Sequence, residues 1–182
     1  SLDEDVAEKM KELEKENKDL LDTIRRLIEE LEKHARELLK RIEDLIRELT
    51  EDAKRLEDSN LREDELKREL DRLRDKVRKV RKEIEELLKE HEDRSRKVVR
   101  DIEEKLKESN RKVKELLEEL KTRGVDRRIL EEIRRTNEEL TERVRDLVEE
   151  MRKTSEELLK EVRKIADEVR RTVEEALKRL EK

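Results

Sequence analysis

The sequence predicts an all-α fold: an elongated, antiparallel, up-down-up three-helix bundle, nearly straight or weakly supercoiled. Three observations predict it. Of the 182 residues, 59% are charged and 31% hydrophobic, yet the hydrophobic ones recur every three or four positions almost throughout. That period belongs to helices, whereas the same charge fraction without a pattern would mean disorder. Proline is absent and glycine occurs once, so nothing interrupts a long helix except at two short polar stretches, DSNLREDEL and KTRGVDRRIL.

The first helix is expected over about residues 2–58. Its inward positions run from Val6 through Leu13, Asn17, Ile24, Leu31, His34 or Ala35, Leu38 and Leu45 to Leu56. Fourteen steps cover fifty residues, a mean near 3.57, between the 3.5 of a left-handed coiled coil and the 3.6 of a straight helix. Extra apolar residues at Leu21, Ile28, Leu39 and Ile46 widen the stripe enough to touch two neighbours. The first turn is expected at about 59–61. Asn60, able to take the left-handed conformation, would close the helix there, and Leu61 would pack on Leu66.

The second helix is expected over about 62–122. It carries polar residues, Ser109-Asn110, inside an unbroken inward spacing of Val98, Ile102, Leu106, Ser109, Val113, Leu116 and Leu120. A loop would reset that phase, so the helix continues through them. At the second turn, about 123–125, Gly124 closes the helix, Asp126 caps the next, and Val125 staples onto Leu130. The third helix follows over about 126–180 and keeps its phase through Met151, Ser155, Leu158 and Val162. Each helix would be roughly 85–90 Å long at about 1.5 Å per residue, and the turns make one domain of residues 1–182. Outward positions alternate Glu with Lys or Arg, which supports the helices by a few tenths of a kcal/mol per pair.

Antiparallel packing assigns residues to levels. Partners in the first two helices have residue numbers adding to about 125–126, and partners in the second and third to about 246–248. Asn17, Ser109 and Asn137 satisfy both conditions, and so do His34, His91 and Ser155, with Ser95 and Thr154 about one turn away from the histidine level. A buried imidazole or amide costs a few kcal/mol when unpaired and little when its partners are supplied. Two buried polar networks are therefore expected, and their effect is to penalise every register in which their members separate.

Most functional classes lack residues to support them. The 51 basic and 56 acidic side chains are mixed, giving a formal net charge of −5 with no basic face, so neither nucleic acid nor a membrane surface is an expected partner. No aromatic residue is available to stack on bases. Cysteine is absent, which removes disulfides and thiolate chemistry. The sequence shows no apolar signal core and no run long enough to span a bilayer, so a soluble protein without a targeting signal is expected. HEDRS at His91 begins like the HExxH zinc motif, but Ser95 stands where the second histidine is required. Two imidazoles and a hydroxyl do not complete a metal site, and a Ser155–His91 pair has neither an inward acid nor an oxyanion donor. No catalytic, cofactor-binding or metal residue is assigned, and no cofactor or partner is required. A pH response is the remaining chemical expectation, because protonating two imidazoles at one level makes them repel and would loosen the bundle below about pH 5.

Regular turns, missing aromatics and prolines, charge-saturated surfaces and level-matched polar layers together resemble computationally designed helical bundles, in particular parametric three-helix bundles with buried hydrogen-bond networks. That resemblance implies high thermal stability, no enzymatic activity, no natural compartment beyond recombinant cytoplasmic expression, and use as a scaffold. The histidine level also resembles designed pH-responsive oligomers. A natural spectrin-like spacer is the alternative class, although such repeats generally carry tryptophan. Another alternative is a subunit that assembles through an exposed apolar edge, with a monomer near 22.3 kDa as the expectation against which a homo-oligomer is judged.

Overall fold

A computed structural model describes residues 1–181 as three α-helices: α1 (Leu2–Glu57), α2 (Glu63–Thr122) and α3 (Arg127–Leu180). Among the described residues there is no strand. The residues pack as two compact units, and every helix contributes one stretch to each. The first unit comprises Ser1–Leu31 with Arg94–Lys153, and the second comprises Glu32–Asp93 with the chain from Thr154 onward.

Within each unit α1 and α2 run antiparallel, as the ion pairs along their seam show. In the first unit Arg123 donates to Asp5 at 2.8 Å and Lys9 to Glu119 at 3.2 Å. In the second unit Arg41 meets Glu83 at 2.9 Å and Lys76 meets Glu48 at 3.2 Å. These pairs tie exposed edges and each is worth at most about 1 kcal/mol. The stabilising mass is the apolar stripe facing the other helices.

The first unit holds two apolar clusters. One gathers Val6, Leu13, Val113, Leu120 and Ile133, and the other Ile24, Ile28, Leu31, Val99, Ile102, Leu140, Val144 and Met151. The second unit holds one cluster, which runs from Leu38 to Leu56 on α1, with Leu70, Leu73, Val80 and Ile84 of α2 and Val162, Val173 and Leu177 of α3. Ile24, Ile102, Leu120 and Val162 have no exposed surface at all.

The turn between α2 and α3 is built around a left-handed glycine. Gly124 has φ of 77°, its amide donates to the Lys121 carbonyl at 3.1 Å, and the Val125 amide reaches the Leu120 carbonyl at 3.0 Å. This pair of bonds satisfies carbonyls that the helix end leaves without a partner. The Asp126 carboxylate then accepts from the Arg128 amide at 3.2 Å and starts α3. Val125 and Leu130 both pack against the neighbouring apolar cluster.

The turn between α1 and α2 follows a different plan, which corrects the expectation for Asn60 and Leu61. No residue other than Gly124 has positive φ among those described, so Asn60 is not left-handed. Ser59 closes α1 instead: its amide and its hydroxyl both donate to the Leu56 carbonyl, at 3.3 and 2.6 Å. Once a side chain satisfies that carbonyl, a left-handed residue is not needed. Leu61 is 38% exposed. The start of α2 relies on Glu63, Asp64 and Glu65, whose negative charges suit the positive end of the helix.

Candidate functional site

In the first unit a polar level separates the two apolar clusters. Along α1 Asn17 lies between Leu13 of one cluster and Leu20 of the other; along α3 Asn137 lies between Ile133 and Leu140; along α2 Ser109 and Asn110 lie between Val113 and Leu106. Asn17 is buried, 8% exposed, and Asn137 is half-buried. The side-chain oxygens of both are buried and accept no hydrogen bond. Ser109 is half-buried and joins no side-chain hydrogen bond among the described residues.

The bond between helices at this level involves two residues that the spacing argument did not assign. Thr141 Oγ1 lies 3.5 Å from Asn110 Oδ1 and 3.0 Å from the carbonyl of Asn137. A hydroxyl has one proton to donate, and the carbonyl holds it at the shorter distance. Asn110 therefore serves Thr141 best with its NH2 turned toward Oγ1, which then accepts. The clue to Asn110 was present in the sequence, since it adjoins Ser109. Thr141 lies one turn beyond Asn137, a position whose hydroxyl commonly bonds back to its own helix.

In the second unit His34, His91 and Ser155 come together from α1, α2 and α3. The two imidazole rings lie within 8° of parallel with centroids 6.2 Å apart. His91 is 1% exposed and its Nε2 faces Ser155 Oγ at 3.5 Å, the outer limit of a hydrogen bond. The His34 side chain is 20% exposed, with Nδ1 buried and without a hydrogen-bond partner, and its Nε2 is 3.9 Å from Glu90 Oε1. The fully inward slot at this turn of α1 belongs to Ala35, 8% exposed, while His34 occupies the seam and lets its ring lie along His91. Glu90 is a third residue missed in the sequence, because its own side chain is 53% exposed and carries no inward signature.

Thr154 is exposed, which corrects its assignment to a buried network: successive helical residues are about 100° apart, so with Ser155 turned inward its neighbour faces outward. Ser95 is half-buried, belongs to the first unit and joins no side-chain hydrogen bond among the described residues.

Charged groups with shifted acidities lie on the surface. The Arg123 guanidinium holds the Asp5 carboxyl below its usual range, and Arg111 does the same to Glu108. Hydrogen bonding to Asp52, with Glu48 beside it, raises Lys76. Among the described residues no group of three or more His, Asp or Glu side chains is placed to hold a metal ion. No helix of the structure is long and apolar enough to cross a membrane.

No protein-family model matches the sequence, and no curated protein matches it. Among solved structures the chain is similar to one described as "Computationally designed three helix bundle". The match covers 98% of this chain and 91% of that one, at 18% identity and a TM-score of 0.48.

Proposed function

We propose that this chain is a designed, non-enzymatic structural scaffold that works as a monomer, and that its polar levels select one register of its helices. The observation that carries the reading is the interruption of the first unit's core. Asn17, Asn110, Asn137 and Thr141 occupy the place where leucines would have joined two apolar clusters into one. A continuous leucine seam tolerates sliding by a turn. A polar level does not, because sliding sets amides against hydrocarbon at about 1–3 kcal/mol for each orphaned group. The surface supports the same reading, with ion pairs spaced three or four residues apart along each helix.

The experiment replaces Asn17, Asn110 and Asn137 together with leucine. The expected product resists denaturant better than the parent but gives doubled amide resonances or more than one oligomeric mass. A single set of resonances, as sharp as the parent's, would refute the register role.

The histidine level favours a second reading, a pH-responsive bundle. Two imidazolium charges 6.2 Å apart would repel by about 3 kcal/mol at an effective dielectric near 20. Facing the rings are Glu90 of α2, which would attract His34 once it is charged, and the neutral hydroxyl of Ser155 on α3. Circular dichroism melts of the His34→Asn, His91→Asn double variant and the parent at pH 4 and 7 test it. This reading expects the parent to lose more stability on acidification, and equal losses remove it.

A further inference from the structure

The two turns differ in what they demand of the backbone. Gly124 closes α2 with a φ of 77°, whereas Asp58, Ser59, Asn60, Leu61 and Arg62 contain no residue of positive φ and neither glycine nor proline. Nothing in the α1–α2 turn therefore forbids a helical conformation. The turn also leaves the start of α2 bare. Among the described residues no side-chain oxygen caps α2, whereas Ser1 accepts from the Glu4 amide at the start of α1 and Asp126 from the Arg128 amide at the start of α3. An unbroken helix would give the Glu63, Asp64 and Glu65 amides the carbonyls of Ser59, Asn60 and Leu61.

The apolar frame runs straight through this turn. Ile42, Leu49 and Leu56 of α1 are buried at intervals of seven, and Leu70, Ile84 and His91 of α2 are buried at positions that continue the same count. Leu38 and Leu45 are continued in the same way by Leu73 and Val80. A seven-residue count returns to one side of a coiled helix. The other turn breaks its frame: two sevens beyond the fully buried Leu120 stands Arg134, which is exposed, and the buried residue is Ile133. One position is a rotation of about 100°, so α2 and α3 could not share a stripe as a single helix.

We infer that the α1–α2 turn is a hinge through which two copies of this chain exchange α1. In the exchanged pair residues 2–122 form one helix, and α1 of each copy lies on α2 and α3 of the other. The contacts of α1 are then remade between copies, His34 on His91 among them, and only the hinge is new. Arg41 with Glu83 and His34 with His91 show that α1 and α2 residues whose numbers add to about 125 lie level. Glu63 of one copy is thus level with Glu63 of the other, and it occupies the inward count of Leu56 and Leu70. In the single chain Glu63 is exposed. In the exchanged pair two carboxylates would meet in an apolar seam, so Glu63 holds the chain as a monomer.

The test uses the full chain with Lys9→Cys and Glu119→Cys, positions joined at 3.2 Å across the α1–α2 seam of a sequence that has no other cysteine. A short bismaleimide links these within one chain in the monomer and between two chains after exchange. The background protein is expected to keep the 22.3 kDa mass in light scattering and to link internally. Adding Glu63→Leu, an exposed change in the single chain, should double the mass and place the link between chains on a denaturing gel. Adding Leu61→Pro to that variant should restore the single mass and the internal link. Proline interrupts the continuous helix, and the Leu61 amide makes no hydrogen bond in the turn that it would lose. A Glu63→Leu variant that stays single, a doubled mass whose links remain internal, or a doubled mass that survives Leu61→Pro would overturn the hinge. A background protein that already links between chains would overturn the part assigned to Glu63.

Discussion

Replacing Asn17 with leucine should stabilise the first unit. Asn17 is 8% exposed and its Oδ1 is buried without a hydrogen bond, so folding strips that oxygen of water and returns nothing. Removing such an orphan recovers about 1–3 kcal/mol. A leucine there joins the stripe between Leu13 and Leu20 and gains about 1.5–3 kcal/mol from burial. Against this stands the branched shape of leucine in a site packed around an amide, at about 1–3 kcal/mol of strain. Asn137 Oδ1 remains unsatisfied in the variant, so its cost does not change. The net expectation is a gain of about 1–3 kcal/mol, or several degrees in Tm for a chain of this size. Guanidinium titrations followed by far-UV circular dichroism measure the midpoint. Because the units have separate cores, amide hydrogen exchange at Ile24, Val113 and Ile133 should accompany the titration to place the gain in the first unit. A loss of about 1 kcal/mol or more would refute the reasoning, since it would mean that Asn17 has an acceptor role worth more than a buried leucine.

Gly124→Ala should cost about 1 kcal/mol in urea denaturation: an added Cβ would meet nothing within 4 Å, so the penalty is the left-handed φ alone, partly offset by a stiffer unfolded chain. Gly124→Asn should cost less, and an equal loss for both would point to packing rather than conformation. Ile42→Ala should remove about 2–5 kcal/mol from the second unit, because Ile42 is 1% exposed inside the apolar cluster and leaves a cavity, and calorimetry reads the loss directly. Asp5 and Glu108 have lowered folded pKa values, so their contributions are present above the ordinary carboxylate range and vanish as the pH falls through the folded values. Asp5→Asn should accordingly flatten the acid limb of the stability profile. Lys76 is raised, so its contribution is complete below the ordinary lysine value and disappears as the pH climbs through the folded one. In Lys76→Gln the alkaline limb should flatten while the acid limb keeps its slope.

Much of the candidate site was legible because helical spacing reports which side of a helix a residue occupies. Asn17 and His91 interrupt an apolar stripe, and both are buried. Gly124 announced a left-handed closure because no other residue type takes that φ at so little cost, and its φ is 77°. Spacing resolves direction only in steps of about 100°, however, and within one step the outcome turns on neighbours. His34 and Ala35 competed for one slot, and the smaller residue took it while the imidazole lay along His91. At the first turn Ser59 and Asn60 were both able to satisfy the helix end, and the hydroxyl's reach to the Leu56 carbonyl decided the matter.

By itself, then, the sequence determined that the chain is helical, that three helices form, and which stripe of each faces its neighbours, since these follow from period and punctuation along one dimension. Only the tertiary structure decided which polar atoms in a level meet. It leaves Asn17 Oδ1 without a hydrogen bond while Asn110 faces Thr141. Those outcomes depend on side-chain rotamers and on the gap between helix axes, quantities of a few ångströms set by every contact along a seam at once and written in no single segment of the chain.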